Sequence, residues 1–293
     1  MTEPVASPEP VENRLPGQVL LYLAALAVLA AYVWLRDRAW QNDLGNSLPI
    51  LSGFALLYAL GRPWQWDPDR LSASLSAALF RTGGAFLYGG GALFLLGVAL
   101  NLSFLLALGW TFLLWALVDA VCDVPTRRRA APLMPLAALS FPWLILHGNE
   151  IGWVFRLSGA IVTEKLFSLI GLHVVREGVF LLIQGLPVSV DAPCAGISTL
   201  QAMLLAGTVM AVSLPRGKRM ALPVKLLLLV AVAWGANTLR LVVLCASALT
   251  WGVPFAQGWF HEWGGLSVLV LMFVLCFFLF GGSEDPVPTA PKP

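Results

Sequence analysis

The sequence predicts an all-α polytopic membrane protein of about eight spans, and three observations carry that prediction. Only 12% of the 293 residues are charged and 58% are hydrophobic, where a soluble domain has about a quarter charged and about half apolar. The mean hydropathy is +0.80, and the apolar residues run uninterrupted instead of following the half-buried periods of soluble helices and strands. The basic residues, finally, gather in short loops between those runs. Together these exclude a soluble globular enzyme, a disordered chain and a disulfide-rich secreted module. A net charge of +2 is too small, and the twelve Trp too plainly interfacial, to point to nucleic acid.

A bilayer core takes roughly 20 apolar residues per helix, with about 17 as a lower limit. The candidate spans are about 19–35, 48–61, 83–100, 103–121, 131–147, 195–214, 221–249 and 264–281. The second is short, and the fifth carries Pro132, Pro135 and Pro142. The seventh is long enough to tilt or to break near Gly235. Between the fifth and sixth, Ile151 to Leu172 mixes Trp153, Phe155, Leu166 and Phe167 with Arg156, Glu164 and Lys165. Such a segment lies along the interface instead of crossing. Residues 174–190 alternate loosely, with Gly178 and Gly185 as turn points, which predicts short strands or extended chain. The ends, 1–16 and 282–293, read as disordered tails around one integral membrane domain over 17–281.

Orientation follows from Lys and Arg in short loops, which stay cytoplasmic. The basic loops Arg127-Arg128-Arg129 and Arg216-Gly217-Lys218-Arg219 have the same parity, and Arg62, Arg70 and Arg81 agree with them. Both termini then lie in the cytoplasm, and loops 148–193 and 250–263 face outward. No cleavable signal peptide is read at the start, where the first apolar run is too long and has no positive segment before it.

The four cysteines, Cys122, Cys194, Cys245 and Cys276, form no Cys-x-x-Cys pair, and the three histidines form no His-Glu-x-x-His motif. A thiolate zinc site, a membrane thiol oxidoreductase and an intramembrane zinc protease therefore lack their ligands, and no metal or cofactor is expected. One cysteine stands out. In Asp191-Ala192-Pro193-Cys194-Ala195-Gly196, proline favours the first helical position, so the thiol falls in the first turn of the sixth span. Free N–H groups and the helix dipole stabilise a thiolate there. Taken alone, Cys194 also reads as a buried small hydrophobe.

Two further groups sit at the same level. Arg240 lies fifteen residues beyond Lys225, roughly 22 Å along a helix, which puts it in the outer leaflet if Lys225 is near the cytoplasmic face. An intramembrane Arg costs at least ~2.5 kcal/mol at mid-membrane and normally faces a cavity or a partner, and Asn237 one turn earlier is placed to orient it. A packing Arg that snorkels outward is the plainer account. His261, followed by Glu262, opens the eighth span on the outer side. A thiolate nucleophile, a proton shuttle and a cation on three helices are what thiol acyl transfer needs.

Cys194-Ala195-Gly196-Ile197, then Asn237-x-x-Arg240, then Phe260-His261 followed by Gly264, resembles the exosortase/archaeosortase family of membrane cysteine transpeptidases. Arg176-Glu177-Gly178 and Val188-Ser189-Val190 resemble the extended stretch before the cysteine there. The resemblance covers about 150–275, with a catalytic part about 148–275. It implies Cys194 as nucleophile, His261 as general acid/base and Arg240 as oxyanion stabiliser, with Asn237, Gly196 and Glu262 in support. It further implies, as partners in the bacterial inner membrane, exported proteins with a C-terminal sorting tail of motif, membrane helix and basic cluster, and an acceptor nucleophile of unknown kind. Ala195 stands where Ser is commoner, and Ser198-Thr199 where a basic residue often occurs.

Two rival classes remain open on the sequence. A small secondary transporter would use Arg240 to bind an anion at a broken seventh span, and would show inverted repeats. A non-catalytic subunit of a polysaccharide-export complex would tolerate loss of the Cys194 thiol. Cys122, Cys245 and Cys276 read as inert, Asp119 as interfacial, and His147 with Glu150 as a solvated loop end.

Overall fold

The structure is a computed structural model and describes residues 17–42, 44–72, 75–81, 83–189, 197–214, 221–256, 258 and 261–280. The first half of the chain comprises α1 (Gly17–Arg36), α2 (Leu44–Gly61), the short α3 (Pro68–Ser72) and α4 (Leu75–Arg81), then α5 (Gly84–Leu100) and α6 (Ser103–Val121). A broken run follows: α7 (Val124–Ala130), α8 (Met134–Leu139) and α9 (Trp143–Leu146). The second half holds α10 (Gly148–Leu169), β1 (Val174–Glu177), β2 (Phe180–Ile183), β3 (Leu186–Ser189), α11 (Ile197–Ser213), α12 (Leu222–Trp251), α13 (Val253–Phe255) and α14 (His261–Phe280). Among the described residues, four stretches are long and apolar enough to cross a bilayer: α1, α6, the run Val124–Leu146, and α12. Shorter apolar helices lie within α2, α5, α11 and α14. The chain is a polytopic helical membrane protein.

The prolines explain the broken run. Pro132 sits in a 3₁₀ turn (Ala131–Leu133), Pro135 in the first turn of α8, and Pro142 directly before α9. Each removes a backbone donor, so one long helix gives way to three pieces. By contrast α12 runs unbroken for 30 residues through Gly235.

In the first half, α5 and α6 form a tight hairpin closed by Asn101 in the left-handed region (φ 60°). A Cβ on Gly90 would meet Gly109 O and Leu113 N at 2.9 Å, so the two backbones touch where neither helix carries a side chain. Around that hairpin, Trp110 packs at a tilt against Phe54 and edge-on against Phe141 (5.0 and 5.2 Å between ring centroids). Its indole donates to Leu26 O at 2.7 Å, while Tyr22 donates to Leu113 O and Trp34 to Ser140 O. With no water in a bilayer core, these polar handles must find backbone oxygens inside the protein. The first two tie α1 antiparallel to α6, and the third ties α1 to the end of α8.

In the second half, the stretch 174–189 is an antiparallel meander in the order β1-β2-β3. Both hairpins close on two residues, pairing Glu177 with Phe180 and Ile183 with Leu186. Gly178 (φ 62°) opens the first turn; Gln184 and Gly185 (φ 51° and 79°) form the second, the positive-φ pair that two-residue hairpins favour. Leu181 and Ile183 point inward and join Ala160, Phe167, Leu241 and Cys245 in a small separate core. An ion pair from Arg176 to Glu164 (2.6 Å) ties the meander to α10.

Candidate active site

Of the sequence-predicted residues, Asn237 and Arg240 lie on α12 and His261 and Glu262 on α14, and a single side chain at the far end of these helices ties both to α11. Lys225 is buried, its ammonium donating to Ala211 O at 2.9 Å and lying 5.7 Å from the Phe280 ring centroid. The start of α12 therefore meets the end of α11 and the end of α14, and both neighbours run antiparallel to it. All three helices rise by the same ~1.5 Å per residue. Fourteen residues on from Lys225 is Leu239, next to Arg240; fourteen back from Ala211 is Ile197, where α11 opens. From Phe280, fifteen residues back is Gly265, four residues into α14. The level of Arg240 on α12 thus corresponds to the opening turns of α11 and α14.

Asn237 and Arg240, both partly buried, line one small crevice of α12 with Leu241 and Leu244. The side of α12 that carries Thr238 and Leu241 packs on α10, where Gly159 lets the helices close: its missing Cβ would stand 3.5 Å from Leu241 Cδ2 and 3.7 Å from Thr238 Oγ1. Trp234 donates to Ser158 Oγ at 2.8 Å one turn below. Gly152, Gly159, Ala160, Thr163 and Phe167 are the buried residues of α10, a helical stripe facing the bundle. The stretch read from sequence as lying along the interface is a helix whose buried stripe packs on α12 next to Arg240.

His261 and Glu262 open α14, where the helical backbone is described and their side chains are not. Cys194 and Gly196, and with them the predicted first-turn position of the thiol, lie outside the described residues. The other three cysteines are buried: Cys122 behind α6, Cys245 under the meander and Cys276 in α14. At Cys122, outside the membrane-spanning helices, burial and then the nearby Asp123 charge push the thiol up to about 12, so it stays a thiol at neutral pH.

Two residues beside the opening of α11 went unmarked or were set aside in the sequence. His147, read as a solvated loop end, is half-buried at the α9–α10 corner, 4.0 Å from the Glu150 carboxylate. Its neighbour Gly148 packs on Ile197, the missing Cβ lying 3.8 Å from Ile197 Cγ2. Gln201, one turn into α11, is fully buried and donates to Leu139 O at 3.2 Å. A buried glutamine in an apolar run is a visible signal; the corner at His147 comes from the break at Pro142, and apolar pattern alone does not reveal it. Among the described residues no cluster of His, Cys, Asp or Glu could hold a metal ion.

A family model described as transmembrane exosortase (Exosortase_EpsH) matches residues 40–279. That span takes in every helix from α2 to nearly the end of α14, including the first-half helices that the sequence motifs leave generic. Neither the curated proteins nor the solved structures contain a match.

Proposed function

We propose that this chain, which belongs to the transmembrane exosortase family, is a membrane-embedded cysteine transpeptidase or protease acting on the C-terminal sorting tails of exported proteins. Cys194 attacks the scissile carbonyl as a thiolate, forming a tetrahedral intermediate whose oxyanion is met by Arg240. His261 delivers a proton to the departing amine as the C–N bond breaks, leaving a thioester. An acceptor amine, or water, then attacks that thioester, gives up its proton to His261 and expels the Cys194 thiolate, which restores the starting pair. General acid/base help is worth about 10²–10⁴-fold and one oxyanion donor about 10²–10³-fold. Asn237 orients Arg240, Glu262 tunes His261, and Gly196 leaves room for substrate backbone. In this reading eight helices cross the inner membrane, both termini are cytoplasmic and the site faces outward, where a tail arrives after export.

The observation that carries the reading is the antiparallel register of α11, α12 and α14, which brings two helix N-termini to the level of an intramembrane arginine. The segment bearing Cys194 is tethered between Ser189 at the end of β3 and Ile197 at the start of α11. Burial of the other three cysteines adds a second support, since it leaves Cys194 as the thiol for covalent chemistry. The unbroken α12 removes the interrupted helix that the transporter reading relied on.

The test is labelling of intact cells with a membrane-impermeant maleimide. One external reactive thiol is expected, abolished in Cys194→Ala and unchanged when the other three cysteines are replaced by alanine or serine. Labelling that survives Cys194→Ala, or that occurs only after the cytoplasmic side is opened, would overturn the assignment.

A further inference from the structure

At the other end of the molecule, α1 and α2 leave a crevice of about 630 Å³ against α6. Its walls are Leu23 of α1, Phe54 and Leu57 of α2, and Leu114, Leu117 and Val118 of α6, all apolar. That volume lies within the roughly 300–1,000 Å³ range of small-molecule sites. The rim differs from the walls. Arg62 stands there beside Trp64 and Trp66, its guanidinium 4.6 Å from the centroid of the Tyr58 ring and donating to Tyr58 OH at 3.0 Å. Pro63, also on the rim, accepts from Arg129 Nη2 at 2.6 Å. Both cations are thus held by neutral oxygens. The nearby carboxylates are engaged elsewhere: Asp119 with Arg127, Asp67 with Arg70, and Asp123 at the N-cap of α7. Among the described residues, no carboxylate pairs with Arg62.

We infer that this crevice is a lipid site, taking one acyl chain of an anionic phospholipid between α1, α2 and α6 with the phosphate on Arg62. An apolar slot in a chain that sits in a bilayer faces acyl chains as its most abundant apolar neighbour. A soluble anion would gain nothing from the slot, and a neutral lipid would leave the Arg62 charge unmatched. Arginine recognises phosphate through its planar fork of donors, and tryptophans favour the headgroup level.

The full-length protein in lipid nanodiscs would be irradiated with phosphatidylglycerol or phosphatidylcholine carrying a diazirine in one acyl chain, and the cross-linked peptides mapped by mass spectrometry. Cross-links should concentrate on the peptides bearing Leu57, Leu114 and Leu117. They should favour phosphatidylglycerol by about fivefold, the weight of one basic residue at an anionic surface. Arg62→Glu should remove that preference and Arg62→Lys keep most of it, while Leu114→Trp should fill the slot and abolish labelling there. Labelling spread evenly over the exposed faces of α5 and α14, or equal for the two lipids, would overturn the inference. So would labelling that enters only after residues 1–16 are deleted, which would assign the slot to the chain's own N-terminal segment.

Discussion

Lys225 completes α11 from another helix, its ammonium donating to the carbonyl of Ala211 at 2.9 Å. In a regular helix that carbonyl would accept from the N–H four residues on, but position 215 is a proline and has none. The cation supplies the missing donor and complements the negative end of the helix dipole. Lys225→Ala should cost about 1–3 kcal/mol by leaving a buried acceptor unpaired, and Lys225→Met distinctly less because it keeps the stem. Unfolding in mixed micelles with increasing dodecyl sulfate would rank the variants. Equal stability of Lys225→Ala and the parent would deny this bond its part in setting the register.

Gly89, Gly90 and Gly91 look alike in the sequence, and the structure separates them. A Cβ at Gly90 would press on the backbone of Gly109 and Leu113, which cannot move aside, whereas positions 89 and 91 have nothing within 4 Å. Gly90→Ala should therefore destabilise by about 1–3 kcal/mol or more, the usual cost of overpacking. Gly89→Ala and Gly91→Ala should be neutral or stabilising by up to about 1 kcal/mol through helix propensity. A thermal melt of the three variants in one detergent would decide it, and a uniform response would contradict the close approach of α5 and α6.

These cases show how far the sequence carries. The apolar runs are legible because a bilayer demands length and low polarity, and among the described residues four helical stretches are long enough to cross while four of the predicted runs coincide with shorter apolar helices. The meander is legible because Gly178 and Gly185 sit at its turns, while the packing of α10 is hidden: its stripe Gly152, Gly159, Ala160, Thr163 and Phe167 lies among Arg156, Glu164 and Lys165, whose charges obscure the buried face. Lys225 marks a membrane boundary by composition, yet its buried place against Ala211 and Phe280 is set by packing that the sequence does not show. At the candidate site, residue type and order point to chemistry, whereas the level of Arg240 against two helix starts needs the register.

The Arg176–Glu164 pair is where the meander meets α10, and both side chains are about a quarter to a third exposed. Solvent screening keeps its worth small, about 0.2–1 kcal/mol in a double-mutant cycle. Its effect should be local: Glu164→Gln and Arg176→Ala should each raise hydrogen exchange in 174–189 and leave α5 and α6 unchanged. Exchanging the two charges should recover part of the protection. No change in the meander would mean that Leu181 and Ile183 alone dock it.

Asp123 caps α7, accepting the Thr126 N–H at 2.8 Å. The bonds from Thr126, and then the charges of Arg129 and Arg127, hold its carboxyl below the usual value of 3.8. A folded-state pKa below the unfolded one gives stability that is present above about pH 4 and lost as pH falls through the lowered value. The corner between α6 and α7 should loosen under acid in the parent and respond less in Asp123→Asn, which keeps a neutral acceptor. Cys122, buried beside this corner, offers the readout: its reactivity toward a small thiol reagent after acid exposure and return to pH 7 should rise in the parent more than in Asp123→Asn. Identical responses would remove the cap from the account.

The proposed triad makes its own prediction about the Cys194 thiol. A nearby cation favours the thiolate, so removing Arg240 or His261 must raise the thiol pKa and move the labelling profile to higher pH. Arg240→Gln should shift the half-labelling point upward, and Arg240→Lys should hold it near the parent value while impairing turnover, because a point charge replaces a planar fork. His261→Ala should raise it as well, because the proposed resting pair sets an imidazolium beside the thiolate. In Asn237→Ala the shift should be smaller and in the same direction, since that residue acts through Arg240. Labelling rates with a small uncharged maleimide at constant ionic strength, from about pH 5 to 9.5, would give all four curves. A Cys194 profile centred near 8.5, the ordinary thiol value, in the parent and in every variant would separate the arginine and histidine from the cysteine and end the acyl-transfer reading.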